Sequence, residues 1–205
     1  MEIKKYFQYG KNSLNFWLQT INDYGSLIRA FSLTDTHDAF THYPLNDLTT
    51  ENKLIQFYYH SHRDNGEHGH VHVFLKELAS TELIHYIAIG ITNKGLPISL
   101  FTVNPITVDE PAIIPSKLIL EISKNVTYNE NDTCLAKWLI SFLLFYKEKI
   151  EGLLNERQRS LNDFQESIEK AEEILSAEAI DWENDLKQSE EKYLSEQSNH
   201  FQEST

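Results

Sequence analysis

Between Leu54 and Asn104 four β-type runs alternate with short turn signals, and this stretch sets the fold class. Leu54 to Arg63 (LIQFYYHSHR) reads as a strand. Asp64-Asn65-Gly66 reads as a tight turn, because Asn and Gly tolerate positive φ. His70 to Leu78 (HVHVFLKEL) is expected to return antiparallel. Leu83 to Thr92 is a third strand, Asn93-Lys94-Gly95 a second turn, and Leu96 to Asn104 a fourth strand. The connections are short, so a meander of about four strands is expected.

Helical signals flank this block. Leu14, Trp17, Leu18 and Ile21 recur at helical spacing from a cap at Asn12 or Ser13 to a stop at Gly25, predicting a helix over Ser13 to Tyr24. A short helix is expected around Ser26 to Phe31, and turn-rich chain through residue 52. After Pro115 a helix is predicted to about Lys124, and another from an Asp132 cap through a stretch apolar nearly all round, which implies burial. Leu154, Leu161, Ile168, Leu175 and Trp182 then recur every seven residues. That seam fits either a long helix folding back on the domain or a homodimer through the C-terminal helix. The expected class is α+β: residues 1–158 form a domain with a His-rich hairpin, and 159–205 an acidic amphipathic helical extension.

Charge and composition exclude several functions. The 205 residues carry a net charge of −13, with 14 acidic and 5 basic residues in the last 51. Phosphate backbones are bound mainly through Lys and Arg, so nucleic acid is not an expected partner. One cysteine, Cys134, rules out a disulfide framework and multi-thiolate metal sites. The most apolar stretch, Trp138 to Tyr146, is far short of the ~20 residues a membrane helix needs, and the opening lacks a secretory run. A cytosolic protein with no membrane partner is expected. No Gly-rich phosphate loop appears, so no nucleotide cofactor is expected.

The unusual local feature is histidine. Five of nine histidines, His60, His62, His68, His70 and His72, fall within residues 60–72. Imidazole titrates near neutrality and is the commonest side-chain metal ligand, so the cluster points to a metal, acid–base chemistry or anion binding. Side chains at i and i+2 of a strand share a face, which groups His60 with His62, and His68 with His70 and His72. Pairing His62 with His70 sets His60 opposite His72 and lines all four on one face. A slip of one residue, pairing Arg63 with His70, splits the cluster. Placing Ile55, Phe57, Tyr59, Val71, Val73 and Leu75 on the core leaves Gln56, Tyr58, His60, His62, His70, His72 and Phe74 as a second face. That favours the shared arrangement.

The metal ligands expected are therefore His60, His62, His70 and His72, with His68, and Glu67 is the candidate catalytic base or further ligand. One divalent ion, Zn, Fe, Ni, Mn or Cu, would serve a small-molecule substrate. The competing readings are a solvent-facing polar sheet that happens to use His, a non-catalytic His surface that binds an anion, senses pH or recognises a partner, and an interaction protein whose acidic heptad helix pairs as a coiled-coil dimer or clamps a basic partner. His85 opens the apolar alternation of Ile87, Ile89 and Ile91, so it reads as a hydrogen-bonded core histidine or a further member of the surface. His37 and His42 can approach from the irregular segment, and Asp109-Glu110 can supply a carboxylate. His200 carries no signal. Ser61 alternates to the opposite face from its histidine neighbours, which excludes a Ser–His pair. Cys134 reads as packing. A cupin jelly roll needs about eight strands and a second histidine motif, and this chain has neither.

Several segments, taken in order, resemble a family of uncharacterised bacterial proteins of unknown function: HYP at 42–44, YYHSHR at 58–63, EHGHVHVFL at 67–75, HYIAI at 85–89, GLPISLFTVN at 95–104, and KWLISFLLFYKEKIEGLLNER at 137–157. The resemblance spans roughly residues 40–160. It implies a bacterial cytosolic α+β domain with the histidine block as a shared site, and no activity.

Overall fold

The computed structural model describes residues 3–33, 38–62, 66–76, 82–108, 114–163 and 173–203. Helix α1 runs Ile3–Tyr24 and α2 Leu27–Ser32. Six strands follow the order β1 Tyr43–Thr49, β2 Ile55–His60, β3 Gly69–Lys76, β4 Leu83–Ile91, β5 Pro97–Val103 and β6 Ile174–Ala179. Helices α3 Ser116–Ser123, α4 Cys134–Phe145 and α5 Lys147–Asp163 lie between β5 and β6, and α6 Trp182–Glu203 closes the chain. Each strand pairs antiparallel with the next, from β1 at one edge to β6 at the other.

The class is α+β, and the sheet has six strands rather than about four. The four expected strands are its centre. Two edge strands escaped the sequence reading for separate reasons. β1 carries Pro44, Asn46 and Asp47, and its register breaks between Tyr43 and Leu48, so no alternation marks it. β6, Ile174-Leu-Ser-Ala-Glu-Ala179, has helix-forming composition and becomes a strand by pairing with β5, Phe101 opposite Ala177. It also interrupts the seven-residue seam: Leu154 and Leu161 lie in α5, Leu175 in β6 and Trp182 opens α6. A single helix past residue 159 is therefore not what the chain forms. Ile168 of the seam lies outside the described residues, as do His37, Arg63 and Asp109-Glu110.

The helices behave locally as their caps dictate. Gly25, at φ 85°, ends α1, and the Ser26 side chain accepts from Arg29 N–H to start α2. The α4 cap is Thr133, which accepts from Ala136 N–H. Asp132 instead accepts from the backbone N–H groups of Glu51 and Asn129, tying the turn before β2 to the turn before α4.

The two faces of the sheet differ. Ile55, Phe57, Tyr59, Val71, Val73, Leu75, Ile87, Ile89 and Ile91 form one buried core with α2, α3, α4 and α5. Apolar α4 sits in its middle, with Trp138, Leu139, Ile140 and Phe142 fully buried. Helix α6 returns along α1, where Trp17 meets Trp182 and Phe7 stacks on Tyr193. The opposite face carries the histidines beside a small apolar patch of Ala88, Phe101 and Val103.

Candidate metal centre

The β2–β3 register pairs His60 with His70 and Tyr58 with His72. It differs by two residues from the expected pairing of His62 with His70. An even shift preserves the face, so His60, His70 and His72 still converge. Nε2 of His60 lies 2.7 Å from Nε2 of His70 and 3.0 Å from Nε2 of His72. These three buried imidazoles place one nitrogen each within 4.8 Å of one another, close enough that the triad could hold a metal ion.

The outer nitrogens of two of these rings are engaged from behind. Nδ1 of His70 lies 2.8 Å from Oε1 of Glu67, whose side chain is 3% exposed. A carboxylate only accepts, so the contact puts a proton on His70 Nδ1, and Nε2 is the nitrogen that faces the triad. Nδ1 of His72 lies 2.9 Å from Nε2 of His85, which likewise turns the His72 Nε2 inward. Burial, with the neighbouring imidazoles adding to it, lowers the pKa of His60 to about 3 and that of His72 well below the ordinary value. Burial, and after it the charge of Arg157, holds His85 at about 3. His60, His72 and His85 are thus neutral at pH 7.

A break in β4 delivers His85. Strict alternation groups His85 with Ile87, Ile89 and Ile91 on the core face. The β3–β4 register instead shifts between Val73, opposite Ile87, and Phe74, opposite His85, so Tyr86 is an extra residue. Tyr86 and Ile87 both join the core, and His85 turns to the histidine face.

Gly90, opposite His70 on β4, makes room for Glu67. A Cβ at Gly90 would lie 2.6 Å from Oε2 of Glu67 and 2.2 Å from Oγ of Ser99.

The other expected site residues fall outside the triad. His68 precedes β3, and its Nδ1 lies 2.7 Å from the Tyr59 hydroxyl, a core residue. Gly69 permits this, since any Cβ there would strike the Tyr59 ring. Its imidazole therefore leaves the alternation of His70 and His72. His62, just past β2, has its ring 4.8 Å from that of His60 and 5.0 Å from that of His70. It stacks on Phe40 and lies 3.8 Å from the Glu173 carboxylate. His42 stacks on Tyr58 at 3.5 Å and contacts Asp47. Glu67 is enclosed behind His70 rather than presented to a substrate.

A cavity of about 390 Å³ opens over His60 and His72, walled by Phe40, Tyr58, Val103 and Val108. His62, Thr107 and Glu173 supply its remaining polar surface. Phe40 and Glu173 were not singled out by sequence: an exposed aromatic in a turn and an acid in an acidic stretch carry no periodic signal.

Fold and site together define a class: an α+β domain whose antiparallel sheet is packed by helices on one face and carries a buried, convergent histidine triad on the other. The chain belongs to the family described as domain of unknown function (DUF6969), which its residues 16–182 match. Neither the curated proteins nor the solved structures contain a match to the chain. No helix among the described residues is long and apolar enough to cross a membrane.

Proposed function

We propose that His60, His70 and His72 bind one divalent metal ion through their Nε2 atoms, and that this centre acts on a small molecule in the cavity above it. The convergence of three Nε2 atoms carries the reading. One N–H on His60 points along a single line, so it serves one of its two nitrogen neighbours well; a cation serves all three lone pairs. Ligands at 2.0–2.1 Å from a tetrahedral ion stand about 3.3 Å apart, so the His60 nitrogen would move a few tenths of an ångström away from each of the other two, while the His70 and His72 nitrogens, within 4.8 Å, settle around the ion.

Glu67 and His85 act as positioning residues in this reading, each holding a ligand's other nitrogen as outer partners of metal-bound histidines do. Three protein ligands would leave a coordination position, and the cavity borders two of the three, His60 and His72. A purely imidazole set suits Zn, Cu, Fe or Ni. An ion so held polarises a bound oxygen or acidifies a bound water.

The test is elemental analysis of untagged protein purified without chelator, beside a His60→Ala/His72→Ala variant checked for folding by circular dichroism. About one equivalent of metal in the wild type, lost in the folded variant, supports the centre. Absence of metal in both, with no uptake of added Zn, Fe, Ni, Mn or Cu, overturns it.

A further inference from the structure

We propose that the cavity over the triad takes a small hydroxylated aromatic molecule, a phenol or catechol, whose oxygen is seated at the metal. The inference rests on the metal reading above and adds a substrate class to it.

Charge favours a ligand of this kind. Three neutral imidazoles leave the 2+ charge of an ion uncompensated by its direct ligands, so the open position favours an anionic oxygen. The approach favours the opposite. No Lys or Arg is among the described lining residues, the one formally charged side chain there is Glu173, and the chain as a whole is at −13. Among the described residues, then, a carboxylate or phosphate meets Glu173 and no basic side chain. A phenol enters neutral and becomes anionic only where the ion stabilises it. The O–H bond breaks with its electron pair kept by oxygen, the oxygen–metal bond forms, and the proton leaves to solvent through the cavity mouth.

The cavity walls suit a ring. Phe40 and Tyr58 bring ring surfaces to the walls and Val103 and Val108 bring apolar ones. Aromatic ligands gain offset or edge contacts against such walls beyond simple burial. The volume lies at the low end of ligand sites, which run roughly 300–1,000 Å³, and fits one or two rings.

Phe40 is 71% exposed, adopts φ 63°, and is held by its backbone N–H to the Ser61 carbonyl. A bulky residue in the left-handed region is uncommon and collects at ligand sites. Its ring lies parallel on His62 at 4.7 Å, at the edge of the cavity, where a bound ring would cover it.

The experiment uses the full chain loaded with Co²⁺, whose visible absorption reports the metal site, and 4-nitrocatechol as probe, at a pH below its first ionisation so that it arrives neutral and its visible band moves to longer wavelength only on ionisation. Addition of the probe is expected to shift both spectra with saturation, while 4-nitrobenzoate at the same concentration shifts neither. Phe40→Ala is expected to weaken the probe tenfold or more with the cobalt spectrum unchanged. A normal cobalt spectrum with no response to 4-nitrocatechol, equal response to 4-nitrobenzoate, or full affinity in Phe40→Ala overturns the substrate class and leaves the metal centre standing. No cobalt spectrum in wild type, or one retained in His60→Ala/His72→Ala, overturns the metal centre and this inference with it.

Discussion

Oε1 of Glu67 and Nδ1 of His70 lie 2.8 Å apart, three residues apart in sequence, with both side chains closed off from solvent. The contact fixes which nitrogen of His70 faces the triad. Glu67→Gln keeps the shape but removes the charge that holds the His70 proton in place. Metal affinity, read by competition with a chromophoric chelator, is expected to fall 10- to 100-fold. Unchanged affinity would remove Glu67 from the site.

Gly90→Ala tests the same contact from the neighbouring strand. The new Cβ meets the ends of two side chains, Glu67 and Ser99, rather than backbone, so the chain can fold by displacing them. The expected result is a loss of about 1 kcal/mol in urea unfolding, in the range of ordinary point substitutions. Metal affinity is expected to drop alongside it toward that of Glu67→Gln. A variant with native affinity would show that Glu67 has room to spare.

His85→Leu asks whether the β4 bulge matters to the site. Leucine fills the space without offering a nitrogen to His72. Metal affinity is expected to fall about tenfold or more while the far-ultraviolet dichroism is retained. If affinity holds, His85 only hydrogen-bonds His72 beside the site and does not position it.

Stability of the metal-free protein is expected to fall in mild acid. Unfolded histidines titrate near 6.5, whereas folded His60 and His85 are held near 3 and His72 well below 6.5. The unfolded chain therefore binds more protons between these limits, so stability rises with pH there and is lost as pH falls below 6.5. Each of the three histidines contributes to this slope in the same direction. Urea titrations at pH 7.5, 6.5 and 5.5 measure this, and a flat profile across the lower two would contradict burial of the rings as neutral groups.

Asp132→Ala separates fold from site. Its carboxylate accepts from the backbone N–H groups of Glu51 and Asn129, both at 2.7 Å, far from the histidines in sequence. Losing these charge-assisted bonds is expected to cost about 2–3 kcal/mol with metal affinity unchanged. A cost under 0.5 kcal/mol would mean that water replaces the carboxylate at both groups.

Much of the fold was legible because its signals are local. Alternation from Leu54 onward marked β2 to β5, and Gly25 and Ser26 marked the joint between α1 and α2. Three imidazoles of the triad were legible from parity alone: His60, His70 and His72 lie on the polar face for any even register. His68 misled because alternation holds only inside a strand, and β3 begins at Gly69.

Local pattern was enough for the α+β class, the two faces of the hairpin and the shared face of His60, His70 and His72, since side-chain direction follows from period and period is written in adjacent residues. The rest depended on how distant segments meet. β1 and β6 became strands because an edge was there to pair with. His85 reached His72 because one extra residue at Tyr86 turned the alternation over. Glu67 found room because Gly90 of another strand has no side chain. Those outcomes depend on register between segments, which no local pattern in either segment encodes.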